Sequence, residues 1–303
     1  VKIYAAAVYT SNLHLHGPMF NRLDPREKVA RNGVRFILES YHYVHKDVMV
    51  ERMRRDKQKV FLDSGAFSAH MLGASIDIDK YIAYIKKNQD IITVASVLDG
   101  IGDPKKTYEN QCYMEKHGTK PLPCFHYGED ERYLEHYIEN YDYISLGGMV
   151  MVSKPQLQLW LDRIWERYLT DDHKRAKIKV HGFGLTKIDL LWRYPWYSVD
   201  STSWQQAGSN GRLILPPYGK TLAISNDSPS RKDAGQHFNT ISDTEKMVMW
   251  ELITSRGFDF HRTQETYLAR WCFNLNAMEE INTALENKTG GEQVFDQPQT
   301  TLF

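Results

Sequence analysis

The chain has 303 residues, 42% hydrophobic and 25% charged, an ordinary globular composition with no apolar run long enough to span a bilayer. Lys+Arg and Asp+Glu both number 38, and this zero balance counts against a general nucleic-acid binder, which usually carries a basic surplus. Three cysteines, Cys112, Cys124 and Cys272, make no disulfide framework, and without a C-x-x-C no cysteine zinc site can be read from spacing.

The start of the chain, residues 1–10, lacks the basic-then-apolar-then-small pattern of a signal peptide and reads as a first strand, so a soluble cytoplasmic protein is expected. Further short apolar runs follow at 34–38, 60–62, 92–98, 122–125, 143–146, 178–180 and 197–199. Amphipathic helical patterns separate them at 47–55, 77–88, 104–117, 129–140, 155–168 and 186–193. Asp77 is an N-cap type of residue and Pro155 a first-turn type. Alternating strand and helix means right-handed βαβ units and a parallel sheet. Eight strands predict a closed (β/α)8 TIM barrel, and the absence of G-x-G-x-x-G after the first strand weakens a dinucleotide fold.

After Asp200 the rhythm changes. Residues 213–225 read as a hairpin or extended loop, and 226–239, rich in Ser, Asp, Asn and Gly, as a mobile surface loop. Helices are expected at 242–256 and 263–285, then a frayed tail from 287. One barrel domain over 1–286 accounts for all of this. Basic residues cluster at 52–59, at 174–179 and at Arg231 and Lys232, where a solvated helix end or loop is the plain reading.

In a barrel, residues just past the C-terminal strand ends converge on one mouth. Here they are Asp63-Ser64-Gly65-Ala66-Phe67, Asp99-Gly100, His126-Tyr127-Gly128, Gly147-Gly148, His181-Gly182-Phe183-Gly184 and Asp200-Ser201-Thr202. Three carboxylates and two imidazoles thus aim at one space. Crowded carboxylates titrate apart, giving an ionised nucleophile and a proton carrier, while glycines let a flat ligand lie against backbone.

The segment from Phe61 to Phe67 resembles the D-S-G-G-F-Q motif of tRNA-guanine transglycosylases, which exchange guanine for a 7-deazaguanine. Further similarities follow in the family's order. Asp99 falls at the base-recognising aspartate, 143–148 at a glycine-rich strand end, 180–184 at a G-V-G loop, and 198–201 at the strand bearing the nucleophile. The likeness covers residues 60–205. Where the family has a glutamine this chain has His126, and the cysteine-rich zinc motif that follows the nucleophile in the tRNA enzymes is missing. The chain is therefore more similar to the zinc-free phage and bacterial DNA 7-deazaguanine transglycosylases.

The resemblance implies that Asp200 attacks the sugar C1′ and that Asp63 is the general acid–base. It further implies base recognition by Asp99 with Ser64, Gly65, Phe67, His126, Gly147, Gly148, His181 and Gly182. DNA and a free 7-deazaguanine base are the expected partners, with no cofactor, no metal and no membrane. Arg231 and Lys232 are expected on backbone phosphates, and Phe67 or Tyr127 against the base. Trp204 is expected to pack in the core rather than hold a strand. Three rivals stay open. One is a tRNA-specific enzyme, and another a non-catalytic partner subunit. The third is a metal-dependent amidohydrolase, using His14-Leu15-His16 with His126, His181 and Asp200.

Overall fold

The computed structural model describes residues 1–185 and 187–288. The expected tail lies, beyond Lys288, outside the described residues, as does Thr186 at the head of the helix expected over 186–193. The chain forms two compact units. One comprises Val1–Thr10, Phe36–Ser201 and the described residues from Leu285; the other comprises Ser11–Arg35 and Thr202–Ala284.

The first unit is an eight-stranded parallel sheet that curls on itself, with helices between successive strands, a TIM-barrel-like α/β fold. Its strands are β1 (Lys2–Ala6), β2 (Ile37–Ser40), β3 (Val60–Asp63), β4 (Ile92–Ala95), β5 (Cys124–His126), β6 (Tyr143–Gly147), β7 (Lys179–Gly182) and β8 (Ser198–Ser201). They pair in the order β4-β3-β2-β1-β8-β7-β6-β5, so the first strand lies beside the last, with Tyr4 opposite Asp200. Between β4 and β5 the contact shrinks to one parallel bridge, Ser96 with Leu122. There the Leu122 N–H donates to the Ala95 carbonyl at 2.8 Å and the Val97 N–H to the Leu122 carbonyl at 3.0 Å. Pro121 and Pro123 flank Leu122 and have no N–H to extend that ladder, which is why β5 begins only at Cys124.

Local chemistry sets the helix boundaries. Asp77 caps the helix Ile78–Lys87 by accepting the Asp79 and Lys80 N–H groups, and Asp103 caps Pro104–Lys116 through Lys106. Asp130 caps Glu131–Asn140, so that helix starts two residues later than its apolar period suggests. The helix expected over 155–168 is Lys154–Ile164 followed by a wider π turn, Trp165–Leu169. The π turn seats Trp165 edge-on to Trp196 at 5.1 Å between ring centroids. Inside the sheet, Tyr4, Ala6, Leu38, Phe61 and Leu122 form the packed centre, with Phe36, Val94, Tyr143 and Phe183 against it.

In the second unit the expected hairpin is β9 (Arg212–Leu215) paired antiparallel with β10 (Lys220–Ala223). Residues 226–239 are a surface segment with two short 3-10 turns, Pro229–Lys232 and Phe238–Thr240. It is pinned by His237, a fully buried ring whose Nε2 lies 2.9 Å from the Ser225 carbonyl. The single helix expected over 263–285 is instead two, Phe260–Glu265 and Tyr267–Lys288, because Thr266 is extended. Trp204 is fully buried against Trp271, as its packing reading requires. Among the described residues no helix is long and apolar enough to cross a membrane.

Candidate active site at the strand ends

Asp63 is the last residue of β3. Its Oδ2 accepts the Gly65 N–H at 3.0 Å, and its Oδ1 lies 3.5 Å from the Ser96 hydroxyl. Ser96 also accepts the Ser64 N–H at 2.8 Å, while the Ser64 hydroxyl accepts the Ala66 N–H, so the fully buried Ser64 holds the turn together. Gly65 turns the chain at φ +78°, and a Cβ there would stand 2.3 Å from Ser40 Oγ and 2.6 Å from His42 Cβ. Withdrawal from water, then the negative charges of Asp99 and Asp200, push the Asp63 carboxyl up to about 7, against the Gly65 and Ser64 N–H groups that favour its ionised form.

That shift has a thermodynamic consequence. A carboxyl raised in the folded state contributes stability that is complete below its unfolded value of 3.8 and is lost as pH rises through about 7. Asp63→Asn keeps an acceptor for Gly65 and removes the ionisation. We expect its melting temperature, relative to wild type, to rise by about 6 °C between pH 4 and pH 8 in paired thermal melts. A difference independent of pH would show that Asp63 ionises freely in the folded protein.

Asp200 sits on β8, 7% exposed. The Gly184 N–H donates to its Oδ1 at 2.9 Å, and His181 Nε2 lies 3.4 Å from the same oxygen. His181 is fully buried among Tyr4, Phe61 and Phe183, with its Nδ1 2.8 Å from Ser198 Oγ, which is 2.7 Å from the Tyr143 hydroxyl. Burial lowers the His181 imidazole, with Asp200 opposing. One polarity satisfies the whole chain: Tyr143 donates to Ser198, Ser198 to Nδ1, and a neutral His181 donates its Nε2–H to Asp200. His181 therefore stands behind Asp200 and acts on a ligand only through it.

Asp99 follows β4, and its Oδ2 is 3.6 Å from Nε2 of His126, the last residue of β5. Its Oδ1 is buried with no hydrogen-bond partner. His126 Nδ1 is 2.9 Å from Glu129 Oε1, its backbone N–H donates to Glu129 Oε2 at 2.8 Å, and Cys124 Sγ is 3.5 Å from Nε2. Burial works to lower the His126 imidazole, but Cys124 and Asp99 outweigh it and hold the ring well above its usual range. Burial also pushes the Cys124 thiol up.

The glycines differ in what they do. A Cβ on Gly147 would stand 2.7 Å from His126 Cδ2 and 2.9 Å from Cys124 Sγ, so this glycine makes room for the group just described. Gly148, at φ +70°, lies against the Tyr127 backbone. At Gly182 the space is filled by Trp196, 3.0 Å away, so the missing side chain there serves packing.

The structure thus brings both Asp99 and Asp200 within electrostatic range of Asp63, with His126 beside Asp99, Gly147 and Gly148 beside His126, and His181 behind Asp200. Phe67, on the helix after Gly65, is 52% exposed, and Tyr127 is 37% exposed. Arg231 and Lys232 are exposed on a 3-10 turn of the second unit, Arg231 donating to the Asn226 carbonyl. Among the described residues the one three-ligand grouping is Asp99, Cys124 and His126; it contains neither ring of His14-Leu15-His16. Sequence reasoning missed Tyr143, Ser198, Cys124 and Glu129. Alternation could have found two of them, since Ser198 shares a strand face with Asp200 and Cys124 with His126. No protein-family model matches the chain, and no curated protein matches it in sequence.

Proposed function

We propose that the protein is a DNA base-exchange transglycosylase that replaces guanine with a 7-deazaguanine, of the 7-cyano type, through a covalent aspartyl-sugar intermediate. The observation that carries this reading is the unequal pair of carboxyls. Asp63, withdrawn from water and facing Asp99 and Asp200, keeps its proton up to about 7, while Asp200 is held by the Gly184 N–H and the His181 ring. One side chain supplies a proton and the other a nucleophilic oxygen.

Asp200 Oδ1 carries both of its contacts, which leaves Oδ2 to attack C1′. The C1′–N9 bond breaks, its electron pair leaves with the base, and the Asp63 proton passes to that base. The incoming 7-deazaguanine gives its N9 proton to Asp63, N9 bonds to C1′, and the ester to Asp200 breaks. Nothing is oxidised or reduced, and no cofactor enters. The unpartnered Asp99 Oδ1 fits an N–H donor of a guanine-type base, a pairing that rejects bases lacking the donor. Phe67 and Tyr127 supply exposed rings for stacking. In a duplex the nucleotide must first leave the stack, at a cost of a few kcal/mol.

DNA is favoured over tRNA by the absence of the tRNA enzymes' cysteine-rich motif. The test is incorporation of radiolabelled guanine and of 7-cyano-7-deazaguanine into duplex DNA and, in parallel, into tRNA. Label entering DNA is the expected result. Label entering tRNA alone would overturn the choice of polymer, and label in neither would overturn the reading. For Arg231 and Lys232 we assign backbone phosphates, so Arg231→Ala should reduce the salt slope of DNA binding by about 1. An unchanged slope would remove the assignment.

A further inference from the structure

We infer that Cys124 Sγ, His126 Nε2 and the Asp99 carboxylate form a binding site for a divalent transition-metal ion of the zinc class. Their separations are the starting point. His126 Nε2 lies 3.5 Å from the sulfur and 3.6 Å from Asp99 Oδ2, and the three donors lie within 4.8 Å of one another. A tetrahedral ion with bonds of about 2.0–2.3 Å sets neighbouring donors roughly 3.3–3.6 Å apart. One nitrogen, one sulfur and one carboxylate oxygen are also the donor types such an ion prefers.

Three further features suit an ion. The far nitrogen of the ring, Nδ1, is held by Glu129 Oε1 at 2.9 Å, the carboxylate–histidine arrangement that orients a metal-bound imidazole. Gly147 lacks the side chain that would collide with both the sulfur and the ring. Asp99 Oδ1 is buried without a partner, so the carboxylate is under-used by the protein alone. The backbone supplies the geometry: Cys124 and His126 project from one face of β5, and Asp99 follows the single bridge that joins β4 to β5. The Cys124 side chain is buried while the Asp99 and His126 side chains are 14% and 19% exposed, so an ion enters past the latter two. On binding, the thiol proton and the Nε2 proton of the His126 ring leave to solvent, Nδ1 keeps its proton on Glu129, and the fourth position is open to a ligand. The site stands on these contacts alone. Only its use rests on the base-exchange reading: with Oδ2 on the ion, Asp99 presents Oδ1 to the base.

The test is titration of the full-length, chelator-treated protein with Co²⁺, without nucleic acid or base. We expect one ion per chain, a thiolate-to-cobalt charge-transfer band in the near ultraviolet, and displacement of that band by Zn²⁺. Cys124→Ser should lose the band, whereas Cys112→Ser and Cys272→Ser should each keep it. The latter two assign the sulfur even if Cys124→Ser fails to fold. Glu129→Gln should weaken Zn²⁺ binding by about 10–100-fold. Absence of the band in folded wild type, or its loss with Cys112→Ser or Cys272→Ser in folded protein, would overturn the site and leave His126 as an ion-pair bridge between Asp99 and Glu129. Because the readout is spectral, it is separate from the incorporation assay, and either result can fail alone.

Discussion

Asp200→Asn is expected to reduce base exchange by about four to six orders of magnitude, the scale on which removal of a covalent nucleophile acts. The substitution is nearly isosteric. Its amide oxygen can still accept the Gly184 N–H, so the β8 end and the loop after β7 keep their geometry and the loss falls on the chemistry. The measurement is incorporation of labelled base, paired with a denaturing gel on which wild type, but not the variant, carries a covalent DNA adduct. Asp63→Asn should behave differently, losing about two to four orders of magnitude while still forming some adduct, because the nucleophile is intact. Wild-type activity should decline above pH 7 as Asp63 gives up its proton. Activity of Asp200→Asn within tenfold of wild type would remove the covalent mechanism.

Gly65→Ala should lower stability by about 3 kcal/mol and the melting temperature by roughly 5 °C. Two costs combine. A non-glycine residue at φ +78° costs about 1–2 kcal/mol, and forcing a methyl group into occupied space typically costs 1–3 kcal/mol. Here the occupied space is at Ser40 Oγ and His42 Cβ, 2.3 and 2.6 Å away, on β2 and on the turn that follows it. The temperature shift follows from an unfolding entropy of about 2.1 cal/mol/K per residue, or roughly 1.6 °C per kcal/mol in a chain of this length. The same substitution moves the N–H that Asp63 Oδ2 accepts, so base exchange should fall as well, even at temperatures where the variant is folded. An unchanged melting temperature would mean that the β3 turn relaxes freely, contrary to its packing.

Both positions were legible before any coordinates because they sit where a repeating pattern ends. Eight apolar runs with helical patterns between them specify a barrel, and a barrel tells which end of each run matters. Asp63, Asp99 and Asp200 follow from that rule alone. The cap at Asp77 also read correctly, because a cap is a local bond between near neighbours. What escaped depends on distance in the chain or on depth in the barrel. Tyr143 and Ser198 are 55 residues apart and meet only across β7, which separates β6 from β8 and whose His181 bonds to the same Ser198 hydroxyl. Glu129 looks like any first-turn helix acid until its side chain is seen folded back onto His126. His181 reads as a mouth residue by position, yet its ring points into the packed interior, since the inward face of a strand extends below the rim. Thr266 breaks a helix with no proline or glycine to announce it.

The adjacency of β1 and β8 bears on how the chain is made. Lys2 bonds to Tyr197 across a separation of 195 residues, and at a synthesis rate of about 5–20 residues per second the first strand waits roughly 10–40 s for that neighbour to be made. Through that interval one edge of β1 presents unpaired backbone groups, a template for pairing with other nascent chains. Ribosome-bound intermediates stalled shortly before Ser198 should therefore be the aggregation-prone species, and slowing translation should increase the demand for a chaperone that covers an exposed strand edge.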